Sequence, residues 1–175
     1  MTAVFRMSES GLLASINSSD GGVPKLPVSE AMVTVNGVDG DRQRNLKYHG
    51  GPDRAVSLFS AERIRALQDE GHPITTGSTG ENLTLSGVDW DLVTPGSHLE
   101  IGEILLEVVT FTKPCRTIRD SFIEQKFSRM SQKHFPGWSR VYARVLREGR
   151  VRVGDPVLLT PAELPEKSWL ESLLS

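Results

Sequence analysis

Cys115 is the residue of this sequence best suited to sulfur chemistry, because it is the only cysteine of the chain and has basic neighbours. Lys113 and Arg116 bring positive charge close to the thiol, which favours the thiolate, the form that attacks electrophiles and binds soft metals. Pro114 should end the preceding strand and place Cys115 on a loop. A lone cysteine is otherwise a small buried hydrophobe, and that alternative stays open.

Arg54 is the clearest candidate for binding an anion. It follows His49-Gly50-Gly51-Pro52-Asp53 and precedes an apolar run. Glycines let backbone N–H groups approach a ligand, and an arginine can hold a phosphate through two parallel hydrogen bonds. The same spacing is equally typical of an ordinary turn whose arginine pairs with a surface carboxylate.

Two further polar positions are candidates for the same ligand. Asn82, in Thr79-Gly80-Glu81-Asn82-Leu83, offers a donor and an acceptor suited to a pterin-like heterocycle. The alternative is that Glu81 and Asn82 only cap neighbouring backbone groups. Lys25 lies between two prolines that restrict its direction, which suits either a phosphate contact or an exposed loop.

The composition predicts one intracellular domain. The 175 residues, 38% of them hydrophobic, suffice for a single core spanning residues 1–175. Twenty Lys and Arg against 22 Asp and Glu give no reason to expect nucleic-acid binding. No secretory signal and no apolar run of membrane-spanning length is present, so a cytoplasmic protein without membrane contact is expected.

Short β-patterned runs separated by Gly, Pro, Asn and Asp predict a mainly β fold, closed as a curled sheet or small barrel. Gly102-Glu103 resembles a hairpin turn, and Pro156 should begin a strand. The expected strands are Leu12–Ile16, Ala31–Val35, Ala55–Phe59, Leu99–Ile101, Ile104–Phe111, Val141–Leu146 and Val157–Leu159.

Helices are expected to be few. Ala61–Glu70 should form one, with Ser60 as N-cap and Gly71 as its end. A less regular helical region is predicted between Arg119 and Lys133, and an amphipathic turn or two in Pro165–Ser175. Asn17–Gly22 is predicted to be a surface loop.

Taken in order, these motifs resemble the MOSC family, named after the C-terminal domain of molybdenum cofactor sulfurases. Each motif alone is weak evidence, but several in the same order over nearly the whole chain are specific. The matching segments are Lys25–Val28, Gly37–Asp41, His49–Val56, Gly80–Thr84, Pro114–Cys115, Val145–Gly149 and Gly154–Asp155.

The resemblance implies a MOSC-type β-barrel that binds molybdopterin, with Cys115 as the metal ligand and catalytic residue. Arg54 and Lys25 would hold the pterin phosphate, with Lys113 and Arg116 as further basic residues of the site. Asn82 would contact the pterin or support the cysteine loop. His49 would either touch the cofactor or hold the glycine turn.

Two departures from the family pattern affect details of the site. Lys113 stands where many members have Arg, which keeps the charge, and Thr79 replaces a phenylalanine, which alters the pocket wall. The pyridoxal-phosphate domain of the sulfurases has no counterpart in these 175 residues. Desulfurase activity of this chain alone is therefore not expected.

Three functions follow from the resemblance. The first is a reductase of N-hydroxylated compounds such as hydroxylaminopurines; its electrons would come from a redox partner protein, because one cysteine cannot hold an iron–sulfur cluster. The second is a carrier that passes on the cofactor, or a sulfur held as a Cys115 persulfide. The third is a β-domain that binds a partner protein and performs no chemistry.

Overall fold

Strands make up most of the regular structure that the computed structural model describes, which covers residues 9–42 and 51–163. In chain order they are β1 Glu9–Ser18, β2 Leu26–Val28, β3 Glu30–Thr34, β4 Gly37–Val38, β5 Val56–Ser60, β6 Leu83–Ser86, β7 His98–Ile101, β8 Ile104–Phe111, β9 Val141–Arg147, β10 Gly149–Arg152 and β11 Pro156–Thr160.

Seven strands close into a barrel in the order β11-β7-β8-β9-β5-β6-β1. The long strand β1 closes it, because Glu9–Leu12 pairs with β11 and Leu12–Ile16 pairs with β6. Within the described residues, closure gives each of these seven strands a neighbour on both sides. Strand β2 pairs with the far end of β1. A small sheet, β10-β3-β4, completes the architecture. The expectation of a mainly β fold closed as a small barrel is confirmed.

Alternation along the strands separates an apolar face from a polar one. Paired residues on neighbouring strands share a face, and one row of them consists of Val141, Leu58, Leu83 and Ile16, all completely buried. This row belongs to the hydrophobic core. The residues next to these four in sequence therefore point to the opposite face.

The helix α1 spans Ala61–Asp69 as expected. The Ser60 side chain caps it by accepting a hydrogen bond from the Arg63 N–H, and Gly71 follows with a positive φ of 96°. The predicted hairpin at Gly102-Glu103 joins β7 to β8, and Pro156 begins β11. None of the helices in the described ranges is long and apolar enough to cross a membrane.

The region Arg119–Lys133 contains short 3-10 helices where a longer helical segment was expected. Glu124 and Gln125 adopt left-handed φ angles of 53° and 59°, which an α-helix cannot continue through. All 3-10 helices of the described residues are Pro52–Arg54, Trp90–Leu92, Arg116–Ser121, Ile123–Gln125 and Phe127–Met130.

The prediction of a surface loop at Asn17–Gly22 is wrong at its start. β1 continues to Ser18, and Asn17 is completely buried. Its carboxamide Nδ2 donates to the Glu81 carbonyl and to Thr84 Oγ1, which satisfies a polar group inside the fold. The helical turns predicted for Pro165–Ser175 lie outside the described residues.

Candidate functional site

A row of polar side chains crosses five adjacent segments on the face opposite the core. Ser57 of β5 pairs with Tyr142 of β9, which pairs with Thr110 of β8. On the other side of Ser57, the Asn82 N–H donates to the Ser57 carbonyl at 2.9 Å and the Asn17 N–H to the Asn82 carbonyl at 2.7 Å. We call Thr110, Tyr142, Ser57, Asn82 and Asn17 the polar row.

Asn82 connects its neighbours through every polar atom of its side chain. Its Oδ1 accepts from the Ser57 N–H at 3.1 Å and from Ser57 Oγ at 3.2 Å. Its Nδ2 donates to Asp41 Oδ2 at 2.9 Å and to the Asn17 carbonyl at 3.4 Å. These contacts agree with the alternative that Asn82 bonds to neighbouring groups of the protein. Asn82 therefore supports the structure of the site.

Lys25 is buried and forms an ion pair with Asp41. The sequence had allowed two alternatives for this lysine, an exposed loop position and a phosphate contact. The Asp41 carboxylate therefore receives both the Lys25 ammonium and the Asn82 amide through one oxygen, Oδ2. Sequence reasoning included Asp41 in a motif but gave it no role.

Glu81 organises the turn that runs from Gly77 to Gly80. Its carboxylate accepts from the Gly77 N–H at 2.6 Å and from Thr79 Oγ1 at 2.8 Å. Complete burial raises the pKa of Glu81, and the Gly77 hydrogen bond opposes this shift. The Ser57 hydroxyl donates to the Gly80 carbonyl at 3.1 Å, so the turn lies against the polar row.

Cys115 is half-buried on the loop after β8, in agreement with the expected loop position. Its Sγ lies 2.8 Å from Thr117 Oγ1, and the 3-10 helix Arg116–Ser121 begins directly after it. The thiol is therefore not part of the packed core. Among the described residues, no group of three or more His, Cys, Asp and Glu side chains is arranged to bind a metal ion.

The cysteine loop is fastened at both ends. Before Cys115, the Thr112 N–H donates to the Arg140 carbonyl at 3.0 Å, and Ser139 Oγ donates to the Thr112 carbonyl at 3.0 Å. After it, Ser121 Oγ donates to Ser78 Oγ at 2.9 Å. Cys115 is thus held between the start of β9 and the Gly77–Gly80 turn.

The structure describes three of the remaining predicted site residues. Arg54 is half-buried, with its guanidinium carbon 5.8 Å from the centre of the Tyr142 ring. Lys113 and Arg116 are exposed on the cysteine loop. His49 lies outside the described residues. Their roles toward a cofactor stay predictions.

Arg140 was missed by sequence reasoning. It is only 7% exposed, and its Nε is buried without a hydrogen-bond partner. The alternation of β9 contained a signal, because Arg140 shares a face with Tyr142 and lies opposite Val141. A basic residue just before a strand is usually exposed, which is why it attracted no attention.

The comparisons with known proteins agree on one family. The family model of the MOSC domain matches residues 45–158. YflK of Bacillus subtilis is 32% identical over 136 residues, covering 76% of this chain and 60% of YflK. Protein YiiM of Escherichia coli is 30% identical over 135 residues, covering 74% of this chain and 59% of YiiM. This chain thus matches about three fifths of the length of either relative.

A solved structure supports the same fold. The crystal structure of YiiM from Geobacillus stearothermophilus superposes with a TM-score of 0.67 at 26% identity. The match covers 86% of this chain and 75% of that one.

Proposed function

Because the chain belongs to the MOSC domain family, which is associated with the molybdenum cofactor, we propose that it binds a molybdopterin cofactor beside the polar row, with Cys115 as the metal ligand. The observation that carries the proposal is the half-buried thiol on a loop that Thr112 joins to the start of β9 and Ser121 joins to the Gly77–Gly80 turn.

The residues present fit such a cofactor. A thiol is a soft ligand suited to a metal of this kind. The polar row offers hydroxyl groups to a heterocycle. Arg54 over Tyr142 supplies positive charge, together with Arg140, whose Nε has no hydrogen-bond partner among the described residues. Gly80, with a φ of 87°, lies beside Arg140 and keeps this part of the turn free of a side chain.

Each residue has a defined task in this proposal. Cys115 would fix the metal, and Arg54 would attract the phosphate. Asn82 and Asp41 would hold the neighbouring strands and loops in position, because their polar groups already bond to each other. Lys25 would act through Asp41, since its ammonium is engaged there. Lys113 and Arg116 would add positive charge near the thiol.

The proposed reaction is the reduction of an N-hydroxylated compound. When bound, the cofactor would supply two-electron, oxygen-abstracting chemistry. Overall, the N–O bond breaks, two electrons and two protons are consumed, and the amine and water form. The electrons would come from a redox partner protein, because the single cysteine of this chain cannot hold an iron–sulfur cluster.

The test is the molybdenum and pterin content of protein purified from a molybdate-supplied host. The wild type is expected to hold about one molybdenum per chain and to reduce a hydroxylaminopurine with an artificial electron donor. Cys115→Ser should lose the metal and the activity. Ser128→Ala, at an exposed position of the 3-10 helix Phe127–Met130, is the control and should retain both.

A sulfur or cofactor carrier is the second candidate, favoured by the accessibility of the thiol. It requires Cys115 but no reduction of a substrate. A persulfide mass shift on Cys115, in wild-type protein without retained metal or reductase activity, would replace the reductase proposal by the carrier.

A further inference from the structure

We propose that Arg140 binds the phosphate group of the cofactor. Its guanidinium is a buried cation that has no ion-pair partner among the described residues, and it lies next to the Gly80 backbone and the cysteine loop. This inference rests on the proposed function, and it assigns to Arg140 the phosphate contact that the family resemblance implied for Lys25. The ammonium of Lys25 is already occupied by Asp41.

The burial of Arg140 is not compensated within the described part of the chain. Three arginine nitrogens there are buried without a hydrogen bond, in Arg129, Arg140 and Arg144. Arg129 binds both oxygens of Glu70 through its other nitrogens, and Arg144 Nε lies 3.3 Å from Asp53 Oδ1. No described carboxylate oxygen lies within ion-pair distance of the Arg140 guanidinium, so Arg140 is the exception among the three.

An unpaired buried cation is unfavourable for the folded state. Taking a charge out of water costs several kcal/mol unless a partner of opposite charge compensates it. Arginine cannot avoid this cost by losing its proton. A position with this arrangement is therefore typical of binding an anion that is not part of the chain.

Glu81, a buried acidic residue that interacts with Arg140, does not form an ion pair with it. Its carboxyl group interacts electrostatically with Arg140, but its oxygens accept hydrogen bonds from Gly77 and Thr79. Burial also raises the pKa of Glu81, which weakens it as a permanent negative charge. Glu81 shapes the turn and leaves the guanidinium available.

Gly80 places no side chain beside the Arg140 guanidinium. Its Nη1 is 3.7 Å from the point where a Cβ of residue 80 would stand. That Cβ would also come within 3.1 Å of Val23 Cγ1, so a larger residue at position 80 would crowd the space beside the guanidinium. The Arg140 carbonyl holds Thr112, three residues before Cys115. This hydrogen bond joins the segment that carries Arg140 to the loop that carries Cys115, so it would fix an anion at Arg140 relative to a metal at Cys115.

The experiment compares Arg140→Met, Arg140→Lys and Arg144→Gln with the wild type. Affinity for inorganic phosphate is measured by calorimetry on protein freed of cofactor, and pterin and molybdenum content on protein as purified. Arg140→Met should lower the phosphate affinity about tenfold or more and reduce the cofactor content in parallel. Arg140→Lys should retain part of both. Arg144→Gln, on the same face of β9 and already paired with Asp53, should behave as the wild type.

Thermal unfolding separates this role from a structural one. Because Arg140→Met removes an uncompensated buried charge, its unfolding midpoint without ligand should equal or exceed that of the wild type. A lower midpoint, an unchanged phosphate affinity or an unchanged cofactor content would each overturn the assignment. If the wild type itself contains no cofactor, the proposed function fails, while the phosphate titration still decides whether Arg140 binds anions.

Discussion

The ammonium of Lys25 and the carboxamide of Asn82 meet at one atom, Oδ2 of Asp41. Lys25 and Asn82 are 57 positions apart in the sequence, and this shared acceptor links the segment before β2 to the start of β6. Both the Lys25 and the Asp41 side chains are less than a tenth exposed.

Asp41→Asn should therefore destabilise the protein strongly. The neutral amide leaves the Lys25 cation buried without a countercharge, which typically costs about 3–5 kcal/mol. Urea unfolding at neutral pH measures the effect. Asp20→Asn breaks an ion pair with Arg42 whose side chains are both largely exposed, so the urea midpoint of this control should barely change. Equal midpoints for the two variants would contradict a structural role of the Lys25–Asp41 pair.

Glu81 should make the stability depend on pH in a defined direction. Because burial raises its pKa in the folded state, the folded protein binds more protons than the unfolded chain above the ordinary carboxyl pKa of 4.5. The Glu81 contribution to stability should fall as the pH rises from that value and level off above the raised pKa. Glu81→Gln should remove this dependence while keeping an acceptor for the Gly77 N–H.

The measurement is the free energy of unfolding of the wild type and Glu81→Gln between about pH 4 and pH 8. The free energy of unfolding of the variant is expected to increase relative to that of the wild type as the pH increases. Parallel profiles would show that the carboxyl group is not perturbed by its burial.

Gly77→Ala should lower the stability of the protein by more than the cost of placing an alanine in a left-handed backbone conformation. Gly77 has a φ of 81°, and a Cβ there would stand 2.2 Å from the Lys25 carbonyl oxygen. Gly40 is the matched control, because its φ is 84° and a Cβ there meets nothing within 4 Å. Both substitutions should cost about 1 kcal/mol for the backbone conformation, and Gly77→Ala about 1–3 kcal/mol more for the overlap.

Denaturant unfolding of both variants gives the difference directly. A Gly77→Ala protein as stable as Gly40→Ala would mean that the Lys25 segment moves away from the turn without loss.

Cys115 should be modified by a thiol reagent in the native protein, because its side chain is half-buried and not enclosed by the core. Mass spectrometry after iodoacetamide treatment is expected to show one adduct on cofactor-free protein and a clearly slower reaction on protein that retains the cofactor. Cys115→Ser should show no adduct. Equal modification rates with and without cofactor would show that Cys115 is not the metal ligand.

Local patterns of the sequence determined much of the barrel. Alternating apolar residues in Ile104–Phe111, the Ser60 cap and the Gly102 turn depend on neighbours within a few residues, so their structures could be predicted from the chain alone. The order of the motifs in the sequence also indicated the family correctly, and Pro114 indicated correctly that Cys115 lies on a loop.

Only the tertiary structure decided which polar residues are buried and which partners they have. Asn17 and Lys25 have the local features of loop residues, yet the closure of the barrel covers both with Glu81 and Asp41 from distant segments. The sequence around Arg140 is that of an ordinary basic residue before a strand, and only the fold brings the Gly77–Gly80 turn next to it. Burial and pairing depend on contacts between residues far apart in the sequence, and no local pattern encodes these contacts.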